Sequence, residues 1–270
     1  MIGLGLRSVT AAYDGTPALR GVDLEVASGS WTGLIGPNGS GKTTLLRAVA
    51  GLMPHGGAVL LGGEEVARMP RRVAARLVAY VPQRPVVPEP MPVIDYVLTG
   101  RTPYISYLGS ERASDLEVAA RVLARLELED LAERPLGTLS GGELQRAIIG
   151  RALAQGAPVL LLDEPTSALD VGHQQQALEL IDALRREEGL TVVAAMHDLT
   201  LAGQFAERLV LLDRGAVAAE GPVREVLTES TIGRHYGARV RILDDDGGGV
   251  VVIPVRDAVV GPAGEREEPA

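Results

Sequence analysis

Residues 4–13 (LGLRSVTAAY) and 18–27 (ALRGVDLEVA) partly alternate apolar and polar side chains, a pattern that predicts two half-exposed strands. WTGLIG (31–36) is a short apolar run entering a glycine-rich loop, and KTTLLRAVAGL after it has helical spacing. HGGAVLLGGEEV reads as a hairpin pair and LVAYVPQ (77–83) as a further strand. Pro82, Pro85, Pro88, Pro90 and Pro92 then rule out regular helix or central strand and make a stiff connector. A helical section follows, from about 93 to 155. Within it 114–133 has helical periodicity, with Ser114 placed to cap and Glu117 at the capping-box position. PVLLLDEP (158–165) and TVVAAMHD (191–198) are buried-strand patterns, with a Gln/Ala/Leu-rich helix (172–187) between them. Alternating buried strands and helices predict an α/β fold with a largely parallel, helix-covered sheet. LVLLDRGAVAAEG reads as another hairpin, followed by a short helix, a strand pair around DDDGGG and a polar tail.

The totals narrow this picture. With 270 residues, 46% of them hydrophobic, the chain can bury a substantial core. No apolar run reaches the roughly 18 residues that span a bilayer. The first residues lack the basic start and apolar stretch of a signal peptide, and none is expected. There is no cysteine, hence no disulfide and no thiolate metal site, as suits a cytoplasmic protein. A net charge of −9 without a long basic patch disfavours nucleic acid as a partner.

Of the 26 basic residues only Lys42 is a lysine, and it sits in GPNGSGKT (36–43). This fits G-x-x-x-x-G-K-[ST] with Gly36, Gly41, Lys42 and Thr43. Glycines let the loop aim its N–H groups at phosphate, and the next helix presents its positive end. A compact ammonium reaches the β- and γ-phosphates where a planar guanidinium fits poorly, and a threonine hydroxyl coordinates Mg²⁺. VLLLDEP ends a strand in Asp163, suited to Mg²⁺, and Glu164, suited to orienting or deprotonating water. LSGGELQR (139–146) places Ser140, Gly141 and Gly142 at a helix start, a second anion-binding geometry.

Taken together, these stretches resemble the nucleotide-binding subunit of ATP-binding-cassette (ABC) proteins over about residues 1–240. GPNGSGKTT resembles the Walker A loop, formed here by Gly36, Pro37, Asn38, Gly39, Ser40, Gly41, Lys42, Thr43 and Thr44. LSGGELQR resembles the signature motif, LLLDEP the Walker B strand, SALD (167–170) the D-loop, and MHD around His197 the switch histidine. Gln83 sits at the Q-loop glutamine, and Tyr13 matches the aromatic on which adenine stacks. One departure is Glu143, where many members carry glutamine.

The resemblance implies a P-loop NTPase (RecA-like) core with an antiparallel β subdomain and an inserted helical subdomain at about 84–155. A strand pair at 241–256 and a disordered tail at 257–270 would follow. It further implies a head-to-tail homodimer, each ATP lying between one copy's loop and the other's Ser140–Gly142. Lys42 would hold the phosphates, Thr43, Gln83 and Asp163 would serve Mg²⁺, and Glu164 would act on water. His197 would contact the γ-phosphate, and Asp170 would link the two sites. Lacking a membrane span, such a subunit would act peripherally at the cytoplasmic face of the inner membrane. It would drive separate permease subunits and serve a substrate-binding protein indirectly. Coiled-coil ABC ATPases of DNA repair need a longer insertion between Lys42 and Ser140 than the chain has, and translation factors usually carry two cassettes. An exporter, or an importer of other cargo, stays open. LTGRTPY (98–104) and ALDVGHQ (168–174) resemble the ATPases of iron-siderophore, haem and cobalamin importers.

Overall fold

In the computed structural model, residues 1–106, 109–167, 169–245 and 248–256 are described. The alternating N-terminal segments form β1 (Leu4–Tyr13) and β2 (Thr16–Val26), followed by β3 (Trp31–Ile35). The loop after β3 runs into α1 (Lys42–Val49), and β4 (Gly56–Leu61) and β5 (Glu64–Glu65) make the expected hairpin. A short α2 (Arg71–Ala74) leads to β6 (Val78–Val81). The next 77 residues hold only helices among those described: α3 (Val93–Leu98), α4 (Ala113–Arg125), α5 (Gly141–Ala154) and short 3₁₀ turns. Then come β7 (Val159–Asp163), α6 (Val171–Glu188), β8 (Thr191–Ala195), α7 (Leu199–Phe205), β9 (Arg208–Asp213) and β10 (Ala216–Pro222). The chain continues through α8 (Val223–Val226) and α9 (Glu229–Tyr236) to the hairpin β11 (Val240–Asp244) and β12 (Val250–Pro254).

Two sheets carry the architecture. An antiparallel sheet has the order β2-β1-β4-β5; a six-stranded sheet has the order β10-β9-β3-β8-β7-β6. In the larger one, β9, β3, β8, β7 and β6 are mutually parallel and β10 closes the edge antiparallel. Strands β3, β7 and β8 are buried at every residue, as a sheet covered on both faces requires. One core cluster lies between this sheet and α1 with the antiparallel sheet. The other lies on the opposite face and extends into α3, α4 and α5. The parallel strands therefore end together, and β3 and β7 deliver Gly36 and Asp163 to the same rim.

One local expectation is corrected. α4 starts at Ala113, not after Ser114: Arg112 is its N-cap residue, and Asp115, not Glu117, returns its carboxylate to the Arg112 N–H at 3.1 Å. Asp115 wins because its other oxygen accepts from Arg101 Nε at 3.0 Å, a tertiary bond that no local pattern reveals. The helix also stops at Arg125 instead of running to 133. Glu127 takes a left-handed φ of 55°, which breaks the i→i−4 ladder. The tail at 257–270 lies outside the described residues, as does Ala168 of the SALD stretch.

Candidate active site

The loop between β3 and α1 is wound tightly around its glycines. Gly36 has φ 147°, and a Cβ there would run into the Leu212 carbonyl and the Ser40 hydroxyl. Gly41 has φ 109° and would put a Cβ 2.9 Å from the Ala18 carbonyl oxygen. Lys42, buried, donates its ammonium to the Gly36 carbonyl at 2.6 Å and the Pro37 carbonyl at 3.3 Å. Burial lowers its pKa, and the carboxylates of Glu164 and Asp163 oppose that shift. The Ser40 hydroxyl is buried and without a hydrogen-bond partner among the described residues.

Across the rim, the buried Asp163 accepts the Thr43 hydroxyl on Oδ1 at 3.0 Å. Glu164 follows it with φ 50°, a conformation costing an ordinary residue about 1 kcal/mol. Its N–H is held by the Ala195 carbonyl at 3.0 Å. The carboxylate stands at the cleft, where Gln83 Nε2 donates to Oε2 and His197 Nε2 stands 3.8 Å from Oε1.

These groups line one open cleft of about 510 Å³, with Tyr13, Asn38, Gly39, Ser40, Gly41, Lys42, Thr43, Thr44, Gln83, Glu164 and His197 on its walls. Tyr13 is 46% exposed, a ring available for stacking. Gly36 and Pro37 join through their carbonyls on Lys42, and Asp163 through Thr43.

Ser140, Gly141, Gly142 and Asp170 are not on those walls. Ser140 caps α5: its Oγ accepts the Glu143 N–H at 3.3 Å, while Glu143 Oε2 accepts the Ser140 N–H at 2.7 Å. Those bonds hold the Glu143 carboxyl below its ordinary pKa, so the one departure from the family pattern completes a capping box. Asp170 caps α6 through the His173 N–H at 2.9 Å and meets His173 Nδ1 at 2.8 Å. His173 in turn packs on Gly142, where a Cβ would meet the imidazole at 2.6 Å.

Three side chains at the site carry no sequence signal. The Tyr80 phenol donates to Asp163 Oδ2 at 3.0 Å. Arg47 lies beside the hydroxyls of Tyr80 and Tyr13, and Tyr236 of α9 meets the backbone of Gly36. Burial pushes the Tyr80 phenol to about 12, reinforced by the Asp163 charge; burial pushes Tyr236 to about 12. In LVAYVPQ the only available hint was strand alternation, which says nothing of a partner on another strand.

A parallel sheet whose first buried strand feeds a glycine loop and a helix, with a carboxylate from a neighbouring strand beside the loop's threonine, defines a P-loop nucleotide-binding protein. The ABC transporter family model matches residues 19–167. Over 245 residues the chain is 43% identical to the cobalamin import ATP-binding protein BtuD of Halobacterium salinarum, covering 90% of this chain. It spans only 61% of that relative's length. It is 43% identical over 238 residues to the hemin import ATP-binding protein HmuV of Nocardia farcinica, covering 87% of this chain and 82% of the relative. With the ferric enterobactin transport ATP-binding protein FepC of Escherichia coli it shares 37% over 249 residues, 92% of each chain. Among solved structures, a metal-chelate type ABC transporter in an inward-facing conformation matches with TM-score 0.82 and 26% identity, over 94% of this chain and 98% of that one. A dimeric ATP-binding cassette bound to ADP and Pi matches with TM-score 0.71 and 29% identity, over 82% and 99%. The chain belongs to the ABC transporter family, as an ATP-binding cassette.

Proposed function

We propose that this chain is the ATP-binding and hydrolysing subunit of a membrane importer for metal chelates of the iron-siderophore, haem or cobalamin kind. The observation that carries the ATPase part is the single cleft in which the Lys42 loop, the Thr43–Asp163 pair and Glu164 with Gln83 and His197 meet. The import part rests on the relatives, which are named for cobalamin import, hemin import and ferric enterobactin transport.

The residues support a stepwise role. Tyr13 stacks on the base. The amides of Gly39 to Thr44 and the N-terminus of α1 receive the phosphates, and the Ser40 hydroxyl is free to join them. Lys42 leaves its two carbonyls for the β- and γ-phosphates. The donor set fits Mg²⁺, which takes oxygen ligands and keeps phosphate and water among them. Thr43 and Asp163 would hold it, with Gln83 reaching across from Glu164. Bound there, the ion would supply positive charge to offset that of the phosphates. Among the described residues no group of three or more His, Cys, Asp or Glu forms an all-protein metal cage, in keeping with a site that needs the nucleotide's oxygens. Glu164 then orients and deprotonates the attacking water, with His197 at the γ-phosphate side.

Ser140–Gly142 stand outside the cleft, so a second copy facing head to tail supplies them to the first copy's nucleotide. Asp170, beside that signature turn through His173, links the two sites. Among the described residues no helix is long and apolar enough to cross a membrane. In this reading the dimer acts on permease subunits from the cytoplasmic side, as the import roles of the relatives suggest, with a substrate-binding protein contributing on the other. Gentle solubilisation of native membranes tests this. A tagged chain recovers a many-spanning permease, with chelate absorbance in the extract or binding protein. Recovery from the soluble fraction with DNA-repair proteins or ribosomes overturns the transport role and leaves the ATPase.

A further inference from the structure

Asp163 is held from two sides. Thr43 donates to Oδ1 and Tyr80 to Oδ2, each at 3.0 Å. Tyr80 comes from β6, the parallel neighbour of β7, where it pairs with Leu161, two positions before the aspartate. Its ring is half-buried against the core beneath α1. Arg47, in the second turn of α1, lies beside the phenol oxygen, and the phenol proton goes to Asp163.

A carboxylate on a buried strand end has a broad terminal torsion and turns easily unless both oxygens are bonded. Here one oxygen stands at Thr43 and the other is tied to a ring that packing holds in place. We propose that Tyr80 is a positioning residue for divalent-cation binding: its phenol fixes the Asp163 carboxylate so that Oδ1 stays beside the Thr43 hydroxyl. This rests on the nucleotide site proposed above. Tyr80 touches neither nucleotide nor metal; it acts through Asp163. Removing a hydrogen bond that orients a metal ligand typically weakens metal binding 10–100-fold.

The test is Tyr80→Phe, which keeps the ring and removes only the hydroxyl. Free Mn²⁺ is titrated by electron paramagnetic resonance into protein saturated with AMP-PNP, for wild type and variant. In parallel, a fluorescent ATP analogue is titrated in EDTA. The expected result is a roughly tenfold or greater rise in the Mn²⁺ dissociation constant, with metal-free nucleotide affinity unchanged. Tyr80→Gln, which restores a donor without the ring, recovers part of the Mn²⁺ affinity; this second variant also serves if Tyr80→Phe folds poorly. Equal Mn²⁺ affinity in wild type and Tyr80→Phe overturns the proposal. So does a parallel fall in metal-free nucleotide affinity, since that separates the effect from the metal ligand. If the wild type binds no Mn²⁺ with AMP-PNP, the nucleotide site itself is wrong and the proposal falls with it.

Discussion

Lys42 spends its ammonium on the carbonyls of Gly36 and Pro37, inside a loop wound tightly at Gly36 and Gly41. Lys42→Arg keeps the charge but cannot keep that geometry. Losing a charge-assisted bond of this kind is worth about 1.5–3 kcal/mol, so nucleotide affinity should fall roughly ten- to a hundredfold in a fluorescent-nucleotide titration. Wild-type affinity would mean that the single lysine has no special place. Glu164 is held in a strained conformation at the cleft, bonded by Gln83. Glu164→Gln should lower steady-state hydrolysis by at least about a hundredfold while nucleotide still binds; a variant turning over at the wild-type rate removes Glu164 as the base. Lys42, Asp163 and Glu164 were readable from the chain because phosphate chemistry demands them at fixed offsets along one strand–loop–helix or one strand end. Tyr80, Arg47 and Tyr236 were not, because each acts on a residue tens of positions or more away and its neighbours in sequence carry only strand or helix periodicity.

At the scale of elements, bonds across the fold connect the helical stretch to the catalytic strands. Gln145 of α5 donates to the Pro165 carbonyl at 2.7 Å, joining the signature helix to the loop after Glu164. Gln155 just beyond α5 donates to the carbonyls of Ala75 and Val78 beside β6. At the other end, Arg101 spans Asp115 of α4 and the Ala154 carbonyl of α5, and stacks on Tyr104 with its guanidinium carbon 3.8 Å from the ring centre. The Asp115 side chain is 4% exposed, so Asp115→Asn breaks a buried pair as well as a helix cap. A loss of about 3 kcal/mol in denaturant unfolding is expected near neutral pH. Its pH dependence has a definite sign. The Arg101 hydrogen bond and the Arg112 N–H hold the carboxyl below its ordinary 3.8, so its contribution is complete above 3.8. It is lost as pH falls through the lower folded value. The gap between wild type and Asp115→Asn should stay flat at higher pH and narrow only below 3.8. A gap that widens on acidification contradicts this account. The strands along the chain and the existence of α4 followed from hydrophobic period, whereas the cap at Arg112 and the stop at Glu127 depended on this tertiary bond and on a single left-handed residue.

At the scale of the molecule, the two core clusters support the rim on which the cleft residues are assembled, while Ser140–Gly142 and Asp170 do not line that cleft. The motifs could be ordered from sequence, but their division between one cleft and another surface is a property of the folded chain. In the proposed function, a half-site that binds ATP without enclosing its γ-phosphate would make dimerisation the event that nucleotide controls. The most direct measurement is the mass of Glu164→Gln in solution by light scattering, with Mg²⁺ and ATP, with Mg²⁺ and ADP, and with Mg²⁺ alone. Twice the monomer mass of 28.3 kDa is expected with ATP, and the monomer in the other two conditions. A monomer in all three, at protein concentrations where ATP saturates the cleft, would contradict that expectation.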